Sequence, residues 1–373
     1  MTNVSAHPYT AIPSLDGLRA ISVLVVLVGH SGYGAVVPGG LGVTIFFFLS
    51  GYLITTLLLS EYERRGTINV AAFYARRMLR LFPPLAITLA IAYVLVLVGL
   101  LSGGITVAGL LSQLLYFANY YSIFFDPGET LPSGTWVIWS LAIEEHFYIL
   151  YPILLLTLLN ARLSVRQMGS LLGTVCVAIL VWRIYLVQFT GAPEIRTYYG
   201  SDTRIDSIIF GCLLSVLCNP VRDAGHDDRM SATQWLLLGS AGLLLLFTLL
   251  YRNPVFRETY RYSLQGLALM PIFYCAIRFH NHRIFKILNI GVVQKIGIYS
   301  YAIYLIHFVV IKVLTENLPW LSANPWLVTV CALTLSVAYA AFLDRYVDSH
   351  FRRYRSQFRG ESHALSPIPR GSA

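Results

Sequence analysis

The chain has 373 residues, of which 56% are hydrophobic and only 12% charged, with a formal net charge of +9. A typical soluble domain carries about 25% charged residues. Half that density cannot cover a water-facing surface, which excludes a soluble two-domain enzyme, a disordered chain and a disulfide scaffold. The composition predicts an all-α, polytopic membrane protein. Nucleic-acid binding is excluded too, because the arginines are scattered between apolar runs and no polar domain carries a groove.

About 20 mainly apolar residues are needed to cross a bilayer core some 30 Å thick, and ten stretches meet that length. The first, 15–33, holds Arg19 and His30, about 16 Å apart along a helix axis. Residues 1–18 hold neither Lys nor Arg and no small-residue cleavage site follows, so this span is not expected to be a cleaved signal peptide. A second span covers 40–60. Arg76, Arg77 and Arg80 mark the entry to a third at 82–102, with Arg76 and Arg80 on one helical face. The stretch 106–125 is apolar but carries Gln113 and Asn119, and reads as an interfacial or short buried helix.

Glu144 and Glu145 open the fourth span, 139–159. The fifth covers 170–189. Arg204 and Asp206 open the sixth, 204–219, followed by 234–252 and 263–280. His307 lies past the middle of the ninth, 297–315, and 325–346 is the tenth. Residues 1–350 thus read as one membrane domain and 351–373 as a short, basic, disordered cytoplasmic tail.

With both termini inside, 19 of the 27 Lys and Arg residues fall on the cytoplasmic side, as the positive-inside rule requires. The five cysteines show no paired spacing, so neither a disulfide framework nor a metal site is expected. His146 falls near a span end and receives no role.

A charge in the hydrocarbon costs about 2.5–3.5 kcal/mol even on the lenient insertion scale, so ionisable groups at depth are functional candidates. The spans gather an arginine cluster at the inner mouth and a His/carboxylate cluster in the outer half. Planar guanidinium forks suit phosphates. An imidazole can take a proton from a hydroxyl near neutral pH. Together they point to a phosphorylated donor entering from the cytosol and chemistry on a hydroxyl deeper in the membrane. Other readings stand beside this one. Membrane anchoring also explains Arg76, Arg77 and Arg80, an interhelical ion pair explains Arg204 and Asp206, and packing explains His30 and His307. A proton-coupled exporter or flippase of a glycolipid or small polar molecule would use the same groups as a relay.

The run Ser-Leu-Asp-Gly-Leu-Arg to His30, with Gly-Val-Thr-Ile-Phe-Phe-Phe-Leu-Ser-Gly-Tyr after it, resembles the start of the acyltransferase family 3 membrane proteins. Further matches are Phe73-Tyr74 with the three arginines, Trp139 to Tyr148, Arg204 and Asp206 with Gly211, and Tyr301 to His307. The resemblance implies O-acyl transfer, usually of acetyl, from a cytoplasmic acyl-CoA to a sugar hydroxyl. The acceptor would be an extracytoplasmic or lipid-linked glycan, such as an exopolysaccharide, and the enzyme would sit in the inner (plasma) membrane.

It also implies that Arg19 and His30 are the essential pair. On that basis His30 is the expected base and Glu144 orients it or the acceptor. Arg76, Arg77 and Arg80 hold acyl-CoA, and Arg204, Asp206 and His307 line the acceptor side. Acetyl-CoA is the donor and no metal takes part. Many members carry Asp where this chain has Thr44. The chain ends soon after its membrane part, so no C-terminal esterase-like domain is expected and transfer is expected at the membrane domain itself.

Overall fold

The computed structural model describes residues 12–125, 127–221 and 229–358. It is all-α, and its described residues hold eight helices long and apolar enough to cross a membrane. Helix α1 (Leu15–Val28) runs into a widened π-turn, Gly29–Tyr33. Next come α2 (Gly39–Arg65) and α3 (Val70–Leu97), the short α4 (Val107–Leu114) and α5 (Ala118–Phe124), then α6 (Trp139–Asn160) and α7 (Val165–Phe189). After these follow α8 (Asp206–Leu217), α9 (Ala232–Leu250), α10 (Tyr260–Arg278), α11 (Gly291–Asn317), α12 (Pro325–Phe342) and α13 (Ser349–Gln357).

All ten expected spans are helical, but two differ in kind from the rest. At 12 residues, α8 is about 18 Å long, too short to cross alone, and nearly all of it is buried. Helix α10 carries Arg261, Gln265 and Arg278 and is not apolar enough. Helix α8 is an inner helix, packed against α2, α7 and α10. The third span starts twelve residues earlier than its apolar stretch, because Asn69 caps α3 by accepting from the Ala72 N–H. That draws Arg76, Arg77 and Arg80 into the helix. The 106–125 stretch is two short helices broken at Tyr116, whose φ is +59°. The tail begins as α13, and 359–373 lie outside the described residues.

Helix α8 sits against α2 with no side chain between the backbones. A Cβ on Gly51 would fall 1.9 Å from the Ile208 carbonyl oxygen, and one on Gly211 would fall 2.0 Å from that of Phe48. Small residues permit such close approach between membrane helices. The outer helices present apolar side chains outward, as Leu236, Leu243 and Leu250 do along one face of α9. In water such a surface would be an aggregation liability. Facing lipid, it is the outer wall of a bundle whose polar groups are held inside.

Candidate active site

His30 stands on the π-turn. Ser31 and Gly32 leave helical geometry there, Gly32 with φ +99°, and a Cβ on Gly29 would lie 3.0 Å from the Gly39 Cα. Widened turns of this kind are frequent at functional sites, and this one closes the helix at Tyr33. The imidazole stacks on Phe308, with ring centroids 4.5 Å apart, and its Nδ1 lies 2.9 Å from Nε2 of His307. The Nδ1 of His307 lies 2.6 Å from the Tyr304 carbonyl oxygen.

That carbonyl can only accept, and so the hydrogen-bond chain assigns both tautomers. His307 donates through Nδ1 and accepts at Nε2. His30 therefore donates through Nδ1 and keeps the lone pair on its own Nε2. His307 is fully buried, while His30 is partly open.

Below this pair the polar groups follow one another along α6. The Ser140 hydroxyl meets the Tyr304 hydroxyl at 2.7 Å. One turn on, Glu144 accepts from Ser50. The next turn holds Arg77, which donates to Glu145 at 2.8 Å and lies 3.2 Å over the Tyr148 ring. The charges of Arg77, Glu145 and Arg19 all act on Glu144, and Arg19 itself donates to Asp16 at 2.7 Å. The result is a polar column through an apolar core, histidines at one end and arginines at the other.

Several predicted residues stand apart from their expected partners. Glu144 meets Ser50, not His30. The two levels differ by roughly two helical turns, about 10 Å. The three arginines of α3 also separate. Arg77 turns inward to Glu145. Arg76 lies 3.7 Å from Glu61 and donates to the Phe358 carbonyl, and Arg80 is exposed.

Arg204 and Asp206 do not pair with each other. Residues two apart on a helix do not face one another, and Asp206 takes a bidentate pair from Arg183 at 2.7 and 2.8 Å. Arg183 also donates to Ser263 and to the Thr203 and Thr259 carbonyls. Arg204 is enclosed by rings, with its guanidinium 3.8 Å from the centroid of Tyr262 and 5.1 Å from that of Tyr198.

Sequence reasoning misses Arg183, which reads as an outer-end charge, and it misses Ser50, Ser140 and Tyr304. It also misses a cluster in which Asn119 donates to Ser201 at 3.0 Å while His146 Nδ1 lies 2.7 Å from the same hydroxyl. Ser50 and Ser140 carry a usable signal as polar residues inside apolar runs. Arg183 carries one as the charge that interrupts the fifth span.

Comparison with known proteins agrees with this architecture. "Putative O-acetyltransferase SACOL0978" of Staphylococcus aureus (strain COL) is 30% identical over 351 residues, covering 92% of this chain and 57% of that protein. The peptidoglycan O-acetyltransferase OatA of Listeria monocytogenes is 29% identical over 377 residues, covering 96% and 59%. The chain thus spans a little over half the length of the curated relatives it matches. No solved structure matches it. Residues 12–345 match the family model described as an acyltransferase domain, over the same stretch that holds the His30 turn, the polar column and the enclosed arginines. A match of that extent means that this polytopic membrane protein belongs to the acyltransferase family its motifs resemble.

Proposed function

We propose that the chain is a membrane O-acyltransferase that moves an acetyl group from cytoplasmic acetyl-CoA to a sugar hydroxyl of an extracytoplasmic or lipid-linked glycan. Both termini are cytoplasmic in this reading, and the membrane is the inner (plasma) membrane. The observation that carries it is the Tyr304–His307–His30 hydrogen-bond chain, which supports a free lone pair on His30 Nε2. Glycan as the acceptor class rests on the Listeria relative, named for peptidoglycan.

In the mechanism His30 Nε2 takes the acceptor proton as the acceptor oxygen attacks the thioester carbonyl. The C–S bond then breaks, and the imidazolium returns the proton to the leaving CoA thiolate. His307 is a positioning residue: it holds the tautomer and accepts the hydrogen bond that steadies the imidazolium. Holding the thioester beside the acceptor removes much of the entropic barrier.

The donor enters at the arginine end. Arg76 and Arg80 meet its phosphates, and Arg19 steadies the pantetheine arm in the column. Arg77, already neutralised by Glu145, shapes the mouth, and Glu144 serves that end rather than His30. Arg204 remains on the acceptor side, while Asp206 holds Arg183.

The test is free-thiol release on adding acetyl-CoA and a glycan acceptor to purified protein. His30→Ala should fold and still bind acyl-CoA while losing about 10²- to 10⁴-fold in transfer. Undiminished turnover in that variant would remove His30 from the role of base. Acceptor movement without thiol release would favour an exporter.

A further inference from the structure

The side chain of Arg204 is fully buried, yet among the described residues its Nε and Nη1 have no hydrogen-bond partner. Its one polar contact among them is a 3.2 Å hydrogen bond from Nη2 to the Thr44 hydroxyl. A guanidinium stays charged in a protein, and a buried charge without a counter-charge is costly. The walls are aromatic: Tyr262 and Tyr198, with Phe47 at 5.6 Å and Trp139 at 5.9 Å. Cation–π contact offsets part of the cost. It leaves the N–H edge unanswered.

The carboxylate behind Tyr262 is Glu258, which the Tyr262 hydroxyl reaches at 3.5 Å, and it is already shared. It accepts from the Thr197 hydroxyl at 2.7 Å and lies 3.6 Å from Arg261. Glu258 is thus committed to Arg261, and Arg204 makes no ion pair among the described residues. The enclosure also adjoins the histidine pair. Trp139, in the wall of the box, precedes Ser140, whose hydroxyl bonds Tyr304, and the Tyr304 ring lies 5.5 Å from His307.

We propose that Arg204 is an anion subsite that binds a carboxylate or phosphate carried by the acceptor, so that the acceptor is an acidic saccharide. The proposal rests on the acyltransferase reading above, and within it names the substrate class. The aromatic walls bracket the sugar ring, and the acidic group displaces one ring as it enters to meet Nε and Nη1. The target hydroxyl is thereby fixed on the His30 side of Trp139.

The test uses the detergent-purified chain and three probes: octyl glucoside, octyl glucuronoside and octyl glucoside 6-phosphate. Thermal unfolding with each probe is followed by thiol release with acetyl-CoA. The wild type should be stabilised by one or both acidic probes and not by the neutral one. It should use the acidic probe better by on the order of tenfold to a hundredfold in kcat/KM, the size of a charged hydrogen bond.

Thr44→Asp places a carboxylate beside Arg204. That variant should unfold at a higher temperature than the wild type and lose the acidic-over-neutral preference. Which acidic probe stabilises the wild type separates carboxylate from phosphate recognition. Equal response to all three probes, or a preference that survives Thr44→Asp, overturns the subsite. Acid-selective stabilisation without any thiol release keeps the subsite and defeats the acyltransferase reading instead.

Discussion

Two arginines flank α8, both fully buried, and their surroundings are opposite in kind. Arg183 is matched donor for acceptor by Asp206, Ser263 and two carbonyls. Arg204 has one hydroxyl and a ring of aromatic faces. A charge whose every contact is internal is scaffold. A charge left open at depth is a place for something else to complete it.

The comparison breaks most easily at Asp206. Asp206→Ala strips Arg183 of its counter-charge inside the bundle and should cost about 3–5 kcal/mol, seen as loss of folded, monodisperse protein after extraction. Arg183→Met is milder, about 1–3 kcal/mol, because the orphaned carboxylate keeps its hydrogen bonds from Ser263 and the Ser207 N–H. Arg204→Met should change stability by less than about 1 kcal/mol or raise it, since removing an unmatched buried charge is often neutral or better. Unfolding temperatures of the two Arg→Met variants, measured side by side, must fall in that order. Were Arg204→Met as damaging as Arg183→Met, the two arginines would be of one kind.

The smallest effect belongs to a third pair, outside the spans. Asp202 is held by Arg196 and by the Trp182 indole N–H at 2.7 Å. Burial alone would raise its carboxyl, but these donors outweigh it and the net shift is downward. A carboxyl with a lowered folded-state pKa stabilises the fold above the ordinary carboxylate range and loses that contribution as pH falls through it. Asp202→Asn should therefore matter by no more than about 1 kcal/mol, near neutral pH only. Unfolding curves of the variant and the wild type should converge in acid.

Depth is legible in the order of residues, and direction is not. The 1.5 Å rise per residue puts His30 and His307 in the same half of the bilayer, and they touch. It cannot say which way a helix is turned about its axis. Spacing alone therefore pairs Glu144 with His30, although α6 points it at Ser50, and joins Asp206 to its neighbour Arg204 rather than to Arg183 on another helix. The all-α class follows from composition alone. That α8 is an inner helix does not, because it looks as apolar as a lipid-facing span when read one residue at a time. Its burial comes from Gly51 and Gly211, whose meaning depends on each other.

The widened turn at His30 has a consequence for how this chain can vary. A π-turn holds more residues than an α-turn, and from this one the chain turns back through residues 34–38 to set Gly39 against Gly29. Removing Ser31 would shorten the connection that returns Gly39 against Gly29, with every remaining residue unchanged in identity. At this point the count of residues is under constraint as well as their chemistry. Insertions and deletions between Gly29 and Gly39 should accordingly be tolerated far less than substitutions.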